Sequence, residues 1–194
     1  ENPTDPGWQE MKHDRKGRTE DMAALLTASF RSHNIAAAID FCPLPIESRQ
    51  QPTYWVKAFA PDGRKKKFIP YERQFDTSLR VPKVFRRKYH TYSKPLPEKV
   101  PFLNLKYHHL RDGKYRDVTS EYNHTVSLQI PRDSIPSRHD FSRVFLNVKH
   151  NNQWIPVAWK YYMDKLVFFK ITPGYEYALI DENDQVLYQA FLTE

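Results

Sequence analysis

From about residue 115 to the C-terminus, the sequence breaks into short runs in which apolar and polar residues alternate, with turn signals between them. A period of two places every second side chain on one face, so such runs read as strands with one face buried. Val126, Leu128 and Ile130 alternate in this way. Phe141 to Val148 and Trp154 to Trp159 flank His150-Asn151-Asn152, which reads as a hairpin turn. Lys165 to Ile171 follows, then Tyr175 to Ile180 and Val186 to Phe191 around Asp181-Glu182-Asn183-Asp184. A succession of this kind predicts an all-β sandwich over 115–194.

The first half reads differently. Residues 1–18 are polar, with Trp8 as the candidate anchor. Thr19 is placed to cap a helix, because Glu20 and Asp21 follow it in the first turn, where carboxylates complement the dipole. Met22, Leu25, Leu26, Ser29 and Phe30 recur at helical spacing, and Asn34 can close the helix in a left-handed conformation, so the helix is predicted over 19–33. Ile35 to Phe41 is a short apolar run that Cys42-Pro43-Leu44-Pro45 ends as a loop. Thr53 to Ala60 and Lys67 to Tyr71 flank Pro61-Asp62-Gly63, so 53–71 is predicted as a hairpin. The segment 76–104, with Pro82, Pro95, Pro97 and Pro101, reads as an extended crossing partly anchored by Val84, Phe85 and Tyr89. The expected fold class is α+β: a helix packed on a small antiparallel sheet over 1–90, a connection over 91–114, and the sandwich over 115–194.

Composition narrows the chemistry. Fifteen prolines against five glycines favour short strands with stiff connections, and no Gly-rich loop offers a cradle for nucleotide phosphates. Twelve Phe, twelve Tyr and four Trp supply a core without many aliphatics. No apolar run approaches the roughly 18–20 residues that cross a bilayer, so no transmembrane segment is expected. The formal charge is +7, with clusters at Arg64-Lys65-Lys66-Lys67 and Arg86-Arg87-Lys88. Charge without a binding motif is a weak signal, so a nucleic-acid partner is disfavoured. The single cysteine, Cys42, excludes an internal disulfide and a multi-cysteine zinc site.

Particular residues resemble a known family. His33-Asn34-Ile35-Ala36-Ala37-Ala38-Ile39-Asp40-Phe41-Cys42-Pro43, directly after the helix, is similar to the segment "G-I-P-V-A-I-D-F-x-P" of the transglutaminase-like (papain-related) superfamily. Arg116-Asp117-Val118-Thr119-Ser120-Glu121-Tyr122 and Trp154-Ile155-Pro156-Val157-Ala158-Trp159 resemble the sandwich that bacterial secreted members carry after the core. The resemblance runs from about residue 17 to the end. It implies a reduced transglutaminase-like core followed by the sandwich, and a location in the periplasm or at the cell surface. The chain begins at Glu1 with no signal segment, whereas family members carry further N-terminal structure. The expectation is a removed leader or a piece of a longer protein.

The family's reaction needs a Cys at the helix N-terminus, where the dipole favours thiolate, a His on the next hairpin strand, and an Asp that orients the His. Here Arg18 or Thr19 falls where the Cys would be, and Thr53-Tyr54-Trp55 stands where the family has His-x-Trp. Asp76 matches the orienting position. An Asp alone cannot carry acyl transfer. The resemblance therefore implies a non-catalytic protein with a binding or scaffolding role. Its ligand would be a peptide or glycan in the old cleft, lined by Thr19, Thr53, Tyr54, Trp55 and Asp76, with no catalytic residue, metal or cofactor. Two alternatives are a hydrolase or acyltransferase with a relocated catalytic set and a basic nucleic-acid-binding module.

Other constellations are set aside. Cys42 follows a buried run beside prolines and reads as a small buried hydrophobe. His90, His108, His109 and His124 fit no zinc spacing, and Glu47, Asp62 and Glu72 come from separate loops. Asn123-His124-Thr125 is a formal glycosylation sequon that reads as coincidence. Trp159, Tyr161, Tyr162, Phe168 and Phe169 could stack on sugar rings, but alternation predicts that about half face the core.

Overall fold

A computed structural model describes residues 13, 18–45, 52–70, 81–88, 108–111, 113–135, 143–162 and 165–193. The chain divides into two units: 1–41 with 45–79, and 42–44 with 80–194. Sheets, mostly antiparallel, dominate both, and the protein is a sheet-rich α+β structure.

In the first unit, α1 (Thr19–Ser32) lies on β2 (Pro52–Phe59), whose neighbours in the sheet are β1 (Ala36–Pro45) and β3 (Lys65–Phe68). The helix does not start as predicted. Arg18, with extended backbone, is the cap, and its N–H donates to the Asp21 carboxylate at 3.1 Å, while Thr19 is the first helical residue. An ionised carboxylate is a stronger acceptor than a hydroxyl, and three residues on it reaches back naturally. At the other end Asn34 takes φ 59°, and the Ile35 and Asn34 N–H groups donate to Phe30 O at 2.9 Å and Arg31 O at 3.0 Å. This is the left-handed closure that the sequence suggested. Arg31 then donates from Nε and Nη2 to Ala37 O at 3.1 and 2.7 Å, tying the helix end to β1.

The helix face in contact with the sheet is smaller than its apolar periodicity implied. Only Ala23 and Thr27, one turn apart, are fully buried, and the Thr27 hydroxyl donates to Ala23 O at 2.8 Å. Met22, Leu25, Leu26 and Phe30 are half-buried, Phe30 resting on Phe68 with ring centroids 4.9 Å apart. Small residues at the contact let the helix approach β2 closely, and the larger ones close over its flanks.

Strand β1 corrects a second expectation. It continues through Cys42-Pro43-Leu44-Pro45, the stretch predicted as a loop. Prolines two residues apart remove N–H groups from the same side of a strand and leave those of Cys42 and Leu44 on the other. The ladder on one side therefore survives. Strands β2 and β3 pair antiparallel from Val56↔Phe68 to Phe59↔Lys65, around a turn in which Gly63 adopts φ 82°. The second strand is Lys65–Phe68 rather than 67–71.

The second unit holds an antiparallel pair β4 (Phe85–Arg87) and β5 (Tyr115–Asp117), and a short helix α2 (His108–Arg111). A further pair joins β6 (Val126–Pro131) to β9 (Lys165–Ile171). A four-stranded sheet has the order β11-β10-β7-β8, with β7 Arg143–His150, β8 Gln153–Tyr161, β10 Glu176–Asp181 and β11 Val186–Phe191. The β7–β8 turn is made by Asn151 and Asn152 with φ 46° and 59°, the mirror-image turn that matches strand twist. Pro156 sits on the edge strand β8 beside a bulge, where a lost donor costs least. At the β10–β11 turn, buried Asp181 accepts from the N–H groups of Asn183 and Gln185 at 2.9 and 2.8 Å.

A buried cation organises this unit. Lys83, with its side chain 3% exposed, places its ammonium 2.7 Å from the Asp117 carboxylate. It also donates to Phe169 O at 3.0 Å and Lys170 O at 2.9 Å. Burial lowers the Lys83 pKa from its ordinary value, and the neighbouring Asp117 pulls it back up. Around this centre, Thr119 Oγ1 donates to the Asp117 carboxylate and accepts from Val84 N–H, and Arg86 forms a two-pronged pair with Glu121 at 3.1 and 3.0 Å. Asn123 donates from its amide to Val81 O.

Two stability outcomes follow. Lys83→Met leaves two carbonyls and a carboxylate without their shared donor, and should cost about 3 kcal/mol in urea unfolding. Burial raises the Tyr177 pKa far above that of a free phenol, while its hydroxyl donates to Thr172 O at 2.9 Å. The phenol ionises near pH 10 in the unfolded chain and stays neutral in the folded one, so the folded state holds the extra proton. Its contribution is complete below about pH 10 and declines above it, by up to about 1.4 kcal/mol per pH unit. Unfolding measured from pH 8 to 11 should show this alkaline slope, and Tyr177→Phe should flatten it.

Candidate binding groove in the second unit

Within the second unit, a groove of about 700 Å³ is bounded by the β4–β5 pair, α2, β8 and β9. This volume falls within the roughly 300–1,000 Å³ usual for ligand sites. Three groups of residues make its surface. Val157, Leu166 and Phe168 are buried and apolar. Trp159, Tyr161 and Phe169 are more open, with Tyr161 40% and Phe169 62% exposed. Arg116, Lys160, Lys165 and Lys170, with the buried Lys83, make it strongly basic, and Asp117 is the one carboxylate among the described lining residues.

Alternation along β9 sets buried Leu166 and Phe168 on one face and Val167 with the exposed Phe169 on the other. Pairing with β6 passes from Val126↔Ile171 to Leu128↔Phe168, so β9 has one more residue than β6 between these partners. This is a bulge, and within it Lys170 adopts φ 57°. A left-handed lysine carries a strain on the order of 1–2 kcal/mol. The Lys83 ammonium, bonded to the carbonyls of Phe169 and Lys170, offsets that strain. Lys170 adds a bond from its own ammonium to Asp117 O at 3.0 Å. Lys160 lies over both aromatic neighbours, its ammonium 5.8 Å from the Phe168 centroid and 5.6 Å from that of Phe169. Trp159 and Tyr161, two residues apart on one face of β8, meet edge to face at 5.4 Å. His109 is buried against the Phe85 ring at 4.8 Å.

The positions singled out from the sequence lie elsewhere. Thr19 is half-buried in the first turn of α1. Thr53, Tyr54 and Trp55 are consecutive on β2 and all buried. Tyr54 stacks on Phe41 at 5.0 Å, and the Lys67 ammonium lies 4.6 Å from the Trp55 ring. The Thr53 hydroxyl is buried with no hydrogen-bond partner among the described residues. Asp76 lies outside the described residues, as do Glu47, Glu72 and His90. The structure thus gathers Thr53, Tyr54 and Trp55 on one strand of a packed core. Cys42 is buried in β1. Asp62 is bound to Arg64 within its turn. No group of three or more potential metal ligands occurs among the described residues. The sequon residue Asn123 uses its amide to hold Val81 O. No helix among the described residues is long and apolar enough to cross a membrane.

Sequence reading had marked Trp159, Tyr161, Phe168 and Phe169 but had not joined them to lysines. The signal was present in Trp159-Lys160-Tyr161 and in Phe168-Phe169-Lys170, where charge interrupts aromatic strands. No protein-family model, no curated protein and no solved structure matches the chain. Fold and site together define a class only: a sheet-rich α+β protein with a basic, aromatic groove in its C-terminal unit.

Phe168 and Phe169 should separate cleanly on substitution. Phe168→Ala should lose about 3–5 kcal/mol of stability in urea unfolding. Phe169→Ala should stay within about 0.5 kcal/mol of wild type, because its ring stands in solvent.

Proposed function

We propose that this protein is a non-catalytic, transglutaminase-like binding protein of the periplasm or cell surface, and that its ligand occupies the groove of the C-terminal unit. The groove is the observation that carries the binding reading: solvent-exposed aromatic faces and cations converge there on a rigid scaffold. Aromatic rings offered to water and lysines gathered near one engaged carboxylate are unfavourable arrangements for mere surface, and a ligand makes use of both.

The family reading draws its support from the sequence motifs and from the layout they predicted. A helix lies on the strand that follows it around a turn and a β-run, and short antiparallel strands follow, consistent with a core and a sandwich. The non-catalytic reading draws on Arg18 and Thr19 at the helix start and Thr53 on β2, where the family would carry Cys and His. Trp55 keeps the aromatic position and is 1% exposed, a packing role that outlasts chemistry.

Binding and turnover measured on one preparation test this reading. The protein, incubated with peptide and glycan libraries, is expected to retain a subset of members while mass spectrometry finds no cleaved or transferred product. Product formation that disappears in Thr19→Ala or Cys42→Ser would mean a relocated catalytic set. Failure to retain any library member would equally end the binding reading.

A further inference from the structure

We infer that the groove binds an anionic polysaccharide carrying about one carboxylate per sugar, a uronate chain; this rests on the groove being the ligand site. The chemistry of its lining leads there in three steps. First, among the described lining residues there is no Asn, Gln, Ser, Thr or Glu, and the hydroxyls are the two of Tyr115 and Tyr161. Neutral sugars are read by amides, hydroxyls and carboxylates that exchange hydrogen bonds with ring hydroxyls. The one lining carboxylate, Asp117, is already engaged by Lys83 and Thr119. What the groove offers is positive charge beside aromatic faces, which suits a ligand with flat apolar faces and negative groups.

Second, the usable charge is modest. Lys83 and Lys170 spend their ammonium groups on Asp117 and backbone carbonyls. Lys160 and Lys165 remain as the cations placed toward a ligand, and Lys160 is half-buried over the Phe168 and Phe169 rings. A protein that holds nucleic acid through its phosphates draws on several cations, about 6–10 where binding is strongly salt-dependent, more than this groove presents.

Third, β9 does not offer its backbone to an acidic peptide, which could pair only along the edge strand β8, where Pro156 lacks a donor. Extended peptides gain affinity by adding a strand to an open edge. At β9 the Phe169 and Lys170 carbonyls that line the groove are bonded to Lys83. Phe169, 62% exposed, is the stacking platform, and Lys160 and Lys165 are the carboxylate partners.

The test uses the full chain and four probes: hexagalacturonate, the neutral cellohexaose, a 20-nucleotide oligo-dT and a poly-Glu peptide, each titrated calorimetrically at low salt. Hexagalacturonate should bind at least ten-fold more tightly than each of the others. Phe169→Ala and the double variant Lys160→Ala/Lys165→Ala should each weaken it at least ten-fold, with thermal unfolding of both variants checked against wild type. Lys65→Ala/Lys66→Ala, in the exposed β3 of the other unit, should leave binding unchanged, which separates groove recognition from net charge. Cellohexaose binding as tight as hexagalacturonate would overturn the charge argument. Tighter oligo-dT or poly-Glu binding, lost in Phe169→Ala, would overturn the ligand class while leaving the groove as a binding site. No binding by any probe, or binding insensitive to the groove variants, would overturn the inference outright.

Discussion

The C-terminal unit depends on one ammonium group. Lys83 is buried in a segment with little regular structure of its own, and a charge in that position must be fully engaged to be tolerated. Its partners come from distant parts of the chain: the Asp117 carboxylate at the end of β5, and the Phe169 and Lys170 carbonyls in β9. Hydrophobic contact alone could bring these elements together in several registers. A cation that needs a carboxylate and two carbonyls at about 3 Å accepts very few. The surrounding bonds, Thr119 to Asp117 and Val84, Arg86 to Glu121 and Asn123 to Val81, fix the 81–88 segment along residues 115–123.

The same ammonium shapes the groove. It holds the carbonyls of the β9 bulge, the bulge contains a left-handed lysine, and the exposed Phe169 stands beside that lysine. Without the bulge, β9 would run flat along β6 and the spacing between Phe168 and the next partner of β6 would be regular. The extra residue of the bulge returns Ile171 to the buried face of Leu166 and Phe168, while alternation leaves Phe169 open beside it. The stability of this unit and the shape of the groove thus rest on one set of hydrogen bonds.

What the sequence disclosed follows from the range of the interactions involved. The helix closure at Asn34, the Asn151-Asn152 turn and the alternation of Val126, Leu128 and Ile130 are settled by neighbouring residues, and they read correctly. The helix start misled because Thr19 is a good cap in isolation, while Asp21 two residues on competes for the same role with a charge. The passage of β1 through Cys42-Pro43-Leu44-Pro45 could not be read locally, because whether a proline is tolerated depends on which side of the strand needs its N–H. The candidate cleft named from the family motif falls on β2, where Thr53, Tyr54 and Trp55 are core residues. The groove was visible only in fragments. Its aromatics sit on β8 and β9, its key charge at residue 83, and no periodicity connects them.

Lys170 is where these arguments meet. A lysine with φ 57° is a poor local choice, since glycine would take that conformation without strain. Glycine would also give up the ammonium that bonds Asp117 O, as well as a positive charge at the groove. It would lower the coulombic pressure on the Lys83 amine, whose pKa is depressed in part by this neighbour. A strained residue that crowds another cation contributes little to stability alone. Its position is intelligible from its bonds: the bulge brings the Phe169 and Lys170 carbonyls to Lys83, and the Lys170 ammonium reaches Asp117 O. Strain of this kind accumulates where a surface is shaped for something it binds, and in this unit it falls at the bulge beside the open aromatic ring.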